Sequence, residues 1–494
     1  MNLSKTKYCC GVQCPKMLWL HKNNPDAFDQ STVKQSVYDT GNEVGNYAKS
    51  LFGEYEEVPY GNYPEMIATT DKMMADEVPN ICEASFSFEG LFCRVDILRN
   101  LGDKNVEIYE VKSSTKLNDI YFHDISFQCY ILDRLGYHVR RACLVNLDSS
   151  YVRHGELDLQ KLFNFNDMTD SVMNSLNYVE KNIHRFDEYM KQENEPIDDI
   201  GYQCSTPYKC GFWAYCTRNL PRPNCFDIHR VQEKTKFKLY YKGLISFEDI
   251  LTAKELDDKH KMPIEHEVKS LPPYIDKTAI LHFLEGLNYP LYFLDFETFS
   301  PAVPIYDNSR PYDRLVFQYS LHYIQTKGGE LRHKEFLASP DEDPRRKAAE
   351  RLCEDIPSDS CVLAYNMVFE QGCIKNLAEL YPDLRSRLME IHDNIQDLMT
   401  IFKNREYYTA AMHGSYSIKY VLPALFPNDP DFDYKNLEGV QNGEDASQTF
   451  LRMAIMSESE REIHRKQLLQ YCKLDTLAMV KIWQKLQEVV QQEF

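Results

Sequence analysis

Two carboxylates, Asp295 and Glu297, stand two residues apart in the otherwise apolar run LYFLDFETFS, Leu291 to Ser300. In a strand such a pair shares one face. Two carboxylates side by side repel and raise each other's pKa unless a cation lies between them. Further acids follow in order. Glu370, in AYNMVFEQG, follows a strand and brings another carboxylate to its end, while Tyr471 and Asp475, in LLQYCKLDTLAMV, are four apart and share a helix face. Asp295, Glu297, Glu370 and Asp475 suit two divalent ions about 3.5 to 4 Å apart that activate a water and steady a leaving oxygen, with Tyr471 orienting that water. Asp397, in NIQDLMTIF, is the rival third ligand. Ser415 and Lys419, in HGSYSIKYVLP, are candidates to line a substrate groove, with a core-packing loop as the equal alternative.

A second constellation lies earlier in the chain. Asp96, in GLFCRVDIL, precedes Glu110-Val111-Lys112, and alternation puts Glu110 and Lys112 on one strand face with Val111 on the other. That face suits one divalent ion between Asp96 and Glu110, with Lys112 placed to orient or deprotonate a water. Gln128 and Tyr130, on the helix that follows, are candidates to complete the site. An ordinary solvated ion pair is the plain alternative. A third group is made of thiols: Cys204, Cys210 and Cys216 at even spacing, and Cys14 far away in QCPKMLWL. Thiolates from both ends of a domain that meet at one centre staple its termini together. Zinc, or merely buried thiols, are the alternatives, and Cys9, Cys10 and Cys225 are possible replacements within the set.

The elements that must position these groups follow from pattern. EASFSFEGLFCRVDILRNLGDKNVEIYEVKSS, Glu83 to Ser114, alternates and breaks twice, which predicts a three-stranded meander. A helix over about Asn118 to Leu135 and a strand YHVRRACLVNL follow. Residues 227–287 read as a helical connector. From about Tyr289 a new α/β pattern begins, with strands LYFLDFET, RLVFQYSLHYI, ELRHKEFLA and CVLAYN, helices from Asp343-Pro344 and from Met367, and a long closing helix from about Glu460. The expected fold class is α/β in three segments, 1–226, 227–287 and 288–494.

The chain has 494 residues, 43% of them hydrophobic, and a net charge of −19. That length suits two to three domains. The acidity excludes a broad basic footprint, so any nucleic acid must be gripped locally. No run of about 18 apolar residues is present, and MNLSKTKYCCGVQCPK shows no export signal, so a cytoplasmic location and no membrane are expected. Fifteen cysteines without such a signal argue for buried or metal-binding thiols rather than disulfides.

Residues 1 to about 225 resemble the RecB-type PD-(D/E)xK nucleases through Asp96, Glu110, Lys112 and Gln128. The resemblance implies a restriction-endonuclease-like core that cleaves phosphodiesters with Mg2+ or Mn2+. Many relatives carry a His on the first helix, and YDTGNEVGNYAKSLF has none; Glu43 is the candidate substitute. The one early and three late cysteines, Cys14, Cys204, Cys210 and Cys216, are similar to those of iron-sulfur RecB-type nucleases of CRISPR adaptation and of the helicase-nuclease family, which implies a 4Fe-4S cluster. Residues 288 to 494 look like the DnaQ-like, DEDD-type 3′ to 5′ exonucleases on an RNase H-like fold, in the variant with Tyr in the last motif. Glu370 departs from the usual Asp. The combination resembles a family of bacterial nuclease fusions, which implies a two-site nuclease with DNA a better candidate substrate than RNA. A nucleic-acid-binding scaffold with inactive sites, or a ribonuclease, are the other readings. Lys234, Lys236, Lys238 and Lys242 alternate with aromatics and are candidates to hold a strand; a solvated connector face is the plainer reading.

Overall fold

The computed structural model describes residues 2–427, 429 and 436–491. It is a mixed α/β protein whose chain divides into two compact units: residues 1–220 with 301–312, and residues 221–300 with 313–494. The segment 221–287 therefore groups with the second unit, and the stretch 301–312 with the first.

The first unit opens with α1 (Lys5–Gln13), capped by the Ser4 hydroxyl, which accepts the Lys7 N–H. Pro15 prevents its continuation, and α2 (Pro15–Asn23) starts there. After α3 (Gln35–Lys49) come the meander strands β1 (Asn80–Phe88), β2 (Leu91–Asn100) and β3 (Asn105–Lys112), then α4 (Asp119–Arg134), β4 (His138–Leu147), β5 (Phe163–Asp167) and α5 (Thr169–Met190). The expected meander, helix and strand are all present. In the sheet β1, β2 and β3 run antiparallel in sequence, β4 joins β3 in parallel and β5 closes antiparallel to β4. Short pairings by Glu56–Glu57 and Leu3–Ser4 bring the sheet to seven strands. One face packs under α1, α4 and α5 around Tyr8, Phe127 and Phe186, while the other packs around Tyr109, Val145 and Leu162.

The Asn118 side chain caps α4 by accepting the Ile120 N–H. Asn118→Ala is expected to cost about 1 kcal/mol, readable as a lower denaturant midpoint with an unchanged slope.

The second unit begins with helices, among them α6 (Glu233–Tyr241) and α7 (Asp258–Lys269). Its sheet is built from β6 (Leu291–Phe299), β7 (Leu315–Ile324), β8 (Leu331–Leu337), β9 (Cys361–Ala364) and β10 (Ile395–Asp397), with α8 (Arg345–Asp355) and α9 (Val368–Leu380) between. The strand order is β8-β7-β6-β9-β10. β7 lies antiparallel and β9 parallel to the central β6. A proline sits just ahead of α8, and Asp343 accepts the Arg345 N–H there. The chain continues to α10 (Gly443–Met453) and the 34-residue α11 (Glu458–Gln491).

Both faces of β6 are covered, and its apolar residues divide by parity. Leu291 and Phe293 pack with Ala478, Met479 and Leu486 of α11, whereas Tyr292, Leu294 and Phe296 pack toward α8 and α9. The acidic pair continues the odd-numbered side, so Asp295 and Glu297 face α11.

Candidate functional site

Four carboxylates act on one another around β6, with Asp475 arriving from α11 and Glu370 from α9. Asp295 stands opposite Ser320 of β7, and Glu297 opposite Gln318. Hydrogen bonds fix α11 over this sheet. The Gln318 amide donates to the Leu468 carbonyl at 2.8 Å, and the Thr476 hydroxyl meets Ser320 at 2.7 Å and His322 Nδ1 at 2.8 Å. Thr476 adjoins Asp475, so the same clamp that seats the helix sets that carboxylate.

Cys472 Sγ lies 3.9 Å from Asp295 Oδ2. Ligand atoms of Asp295, Glu297 and Cys472 fall within 4.8 Å of one another. Glu370 comes from the first turn of α9, is 2% exposed, and leaves Oε2 without a hydrogen-bond partner.

The electrostatics show the strain of this gathering. Burial, then Asp475, Glu297 and Glu370, push the Asp295 carboxyl well above its usual range. Burial and Asp475 do the same to Glu297, against the pull of Lys419. Burial raises Glu370 to about 8, with Asp397 adding to it and Arg314 opposing. Hard oxygen donors whose raised carboxyls outweigh the pull of Lys419 and Arg314, one of them with an orphaned and buried oxygen, fit divalent cations. The Cys472 thiol, pushed up by burial and by Asp295, is a poor ligand for such ions and lies beside the Asp295 carboxylate.

The flanking candidates separate cleanly. Asp397 Oδ1 accepts the N–H groups of Asn366 and Met399 and so braces the end of β9. Lys419 acts on Glu297. Ser415 is buried and its hydroxyl accepts the Ser417 N–H, which makes it part of the loop's own fold. Tyr471 is buried one turn before Asp475. Arg314, which nothing in the sequence marked, packs 4.3 Å over the Phe369 ring beside Glu370.

In the first unit, the β2–β3 ladder runs only as far as Ile97 and Tyr109. Beyond it the Asp96 carboxylate accepts the Val111 N–H at 2.7 Å. Glu110 and Lys112 point to the face covered by α1 and α4. Lys112 Nζ reaches Glu110 at 2.6 Å and Asp124 at 2.7 Å, and the Gln128 amide donates to Glu110 at 2.7 Å and to Asp124 at 3.1 Å. The sequence reading missed two members. Asp124 is one turn before Gln128 on α4, a D-x3-Q spacing that could have disclosed it. Lys5 arrives from α1: its ammonium lies 2.9 Å from Glu110, 3.7 Å from Asp96 and 3.9 Å from Asp124.

Tyr130 does not join this set, contrary to expectation. Two residues past Gln128 on a helix means nearly the opposite face, and its hydroxyl meets Glu180 at 3.4 Å beside Arg134. Glu43 is exposed; partial desolvation pushes its carboxyl up, and it acts on Tyr312.

Burial, Asp124 and Asp96 raise Glu110 to about 7 against Lys112 and Lys5. Burial also opposes the ionised form of Asp124, yet Lys5 and Lys112 hold that carboxyl well below its usual range. These donors fit a divalent ion in chemistry, but Lys5 already supplies a cation. Lys5→Met is therefore expected to lower the melting temperature of metal-free protein and to tighten Mn2+ binding at this site. Thermal melts with and without Mn2+ measure both, and a variant that melts like wild type in EDTA would contradict the ion-pair assignment.

The four cysteines also come together. Cys204, Cys210 and Cys216 each experience Cys14, and Cys210 experiences all three others. The Cys210 N–H donates to the Cys204 carbonyl, and the Gln13 amide donates to the carbonyls of Gln203 and Tyr208 at 2.7 Å each. None of the four forms a disulfide. Burial pushes Cys204 up to about 11 and Cys210 up to about 12, so thiolates there need a bound cation. Four soft donors that act on one another fit iron or zinc by their chemistry. The alternatives lie elsewhere: Cys9 is beside Asp124 and the two lysines, its neighbour Cys10 packs at the edge of the α1 core, and Cys225 is in the helical core of the second unit.

The lysines on and just after α6 are largely engaged within the unit. Lys238 and Lys242 pair with Glu255, and Lys236 donates to the Phe226 carbonyl at 2.9 Å. No helix among the described residues is long and apolar enough to cross a membrane.

Comparison with known proteins adds sequence relatives but no activity. No solved structure matches the chain. A segment of 214 residues, 40% of this chain, is 25% identical to the uncharacterized protein MG366 of Mycoplasma genitalium and spans 32% of that protein's length. Residues 292–417, which carry Asp295, Glu297 and Glu370 but stop short of Tyr471 and Asp475, match the model of a domain of unknown function, DUF2779.

Proposed function

We propose that the protein is a metal-dependent nuclease with two hydrolytic sites. The second unit is read as an RNase H-like, DEDD-type 3′ to 5′ exonuclease, and the first as a restriction-endonuclease-like PD-(D/E)xK nuclease bearing a 4Fe-4S cluster. The observation that carries the reading is the convergence of Asp295, Glu297, Glu370 and Asp475 at the central strand, with the carboxyls of Asp295, Glu297 and Glu370 buried and raised. The strand order, with β6 central between an antiparallel and a parallel neighbour, agrees with it.

In this reading the four carboxylates hold two divalent ions, Mg2+ or Mn2+, which supply charge neutralisation and water activation when bound. Tyr471 orients the attacking water. The water's oxygen bonds to phosphorus as the water gives up a proton, the P–O3′ bond breaks, and the departing 3′ oxygen takes a proton, which releases a nucleoside 5′-monophosphate. Lys419 and Arg314 balance charge at the edge of the cluster. In the first unit Glu110 and Asp96 hold the ion, Gln128 fixes the Glu110 carboxylate, and Lys112 positions the water. DNA is the preferred substrate, with single strands suited to the exonuclease site.

End-labelled DNA incubated with Mg2+ or Mn2+ tests this. Wild type should shorten strands from the 3′ end, Asp295→Ala should remove that pattern, and Lys112→Ala should remove any remaining cleavage. No cleavage by wild type, or cleavage surviving both substitutions together, sinks the proposal. The Lys5 ion pairs favour one narrower reading, in which the first site binds nucleic acid without turnover. In that case Lys112→Ala changes nothing in the cleavage pattern.

A further inference from the structure

The second unit holds a cavity of about 550 Å3, lined by loops around His229 and His413 and by α7. Its wall carries more basic side chains than acidic ones. Arg230, Lys236, Arg405 and His413 all act on His229 and depress its protonation, after burial, so they lie around one point.

Arg405 is the unusual member. It is 7% exposed, and only Nη2 has a hydrogen-bond partner, the Gly414 carbonyl at 2.7 Å; Nε and Nη1 have none. The groups that act on it are the rings of Tyr408 and Tyr416, and no carboxylate among the described residues offsets its charge. Buried charges are ordinarily paired, because an unpaired one costs several kcal/mol. Neither acid in the wall pairs with Arg405: Asp227 holds Arg222 and the Asn224 N–H, and Glu267 faces His413 within the wall at 4.0 Å.

A second, independent observation is backbone strain. Arg230, Arg405 and His413 each adopt a left-handed conformation, with φ of 60°, 65° and 48°. Such residues cost of order 1 kcal/mol or more apiece and concentrate where a ligand is held. Here all three are basic and all three line the same cavity.

We propose that this cavity is a binding site for a nucleoside monophosphate, with the phosphate held by Arg230 and Lys236 and its charge balanced from behind by the buried Arg405. The volume decides against a bare anion, since about 300 to 1,000 Å3 is the span of sites for whole small molecules. The rest of the wall accepts a flat heterocycle: Phe226, Phe247 and Tyr420 offer rings, and Pro263 and Ile264 offer aliphatic surface. The Tyr420 ring already stacks edge-on against His229 at 5.1 Å. Gly414 lies with its α-carbon turned to Pro263 and His229, so a β-carbon there would stand 3.4 Å from Pro263 and narrow the cavity. The site uses none of the four carboxylates, and it stands whether or not the nuclease reading does.

The experiment is calorimetric titration of the full chain in EDTA, which keeps the carboxylate cluster free of divalent ions. The probes are AMP and dAMP, adenosine, inorganic phosphate, and a 5′-phosphorylated oligonucleotide. The nucleotides should bind in the micromolar range, adenosine at least tenfold more weakly, and inorganic phosphate should compete. Arg230 is exposed, so Arg230→Glu should fold normally and weaken AMP at least tenfold, while Glu297→Gln should leave AMP binding within twofold. Arg405→Met should also abolish binding while leaving the melting temperature equal or higher, because it removes an unpaired buried charge. The proposal is overturned if AMP and dAMP do not bind, if Arg230→Glu leaves their affinity within twofold, or if only the oligonucleotide binds.

Discussion

Asp295→Asn is expected to lower metal-dependent removal of nucleotides from a 3′ end by at least about 100-fold, since even groups that merely support metal ligands are worth 10- to 100-fold. The same substitution should raise the melting temperature of the metal-free protein. The two effects have one cause: Asp295 is pressed by Asp475, Glu297 and Glu370, and the neutral amide relieves that repulsion.

The pH dependence follows with a definite sign. Asp295, Glu297 and Glu370 have folded-state pKa values above their unfolded ones, so between those values the folded chain binds more protons than the unfolded chain. Stability in EDTA must then fall as pH rises from the ordinary carboxylate range near about 4 through the raised values, of which Glu370 lies at about 8. Asp295→Asn should flatten that decline, and Mn2+ should reverse it most strongly at the alkaline end. Melts across pH 5 to about 8.5, with and without Mn2+, read all of this. A variant that melts no higher than wild type in EDTA removes the physical basis of the site.

The second large effect belongs to the thiols. Cys204→Ser combined with Cys210→Ser should strip the first unit of bound metal and leave its N-terminal helices and cysteine loop open to protease. Structural metal sites contribute on the order of 10 kcal/mol of binding energy that acts as folding energy. Anaerobic purification with metal analysis and visible absorbance checks this. Iron with sulfide in the wild type, absent from the variant, is the expected result. Colourless protein with stoichiometric zinc would sink the cluster assignment, and unchanged metal content in the variant would sink the site itself.

What was legible in the sequence was whatever repeats locally. The alternation of LYFLDFETFS set the face of Asp295 and Glu297 because apolar neighbours on both sides of β6 are buried and a one-residue slip is forbidden. Tyr471 and Asp475 were readable as a helical pair for the same reason. Lys5 was not, because a lone lysine in SKTK carries no pattern, and its partner Glu110 is 105 residues away. Tyr130 was misread by treating a helical neighbour at i+2 as if it shared a face. The α6 lysines offered two readings, a grip on a nucleic-acid strand or a solvated connector face, and the helix places Lys238 and Lys242 one turn apart, where both reach Glu255. The basic cavity was hidden because its members, Arg230, Arg405 and His413, meet only through turns whose left-handed residues have no sequence signature when they are not glycine.

Helix α1 ends at the cysteine quartet and begins at the carboxylates. Its nine residues form a strut about 14 Å long, with Lys5 at one end and Cys14 just beyond the other. A metal held by the thiols would fix one end of this rod, and its oxidative loss would then be expected to show first as altered cation occupancy at Glu110, before any strand of the sheet comes apart.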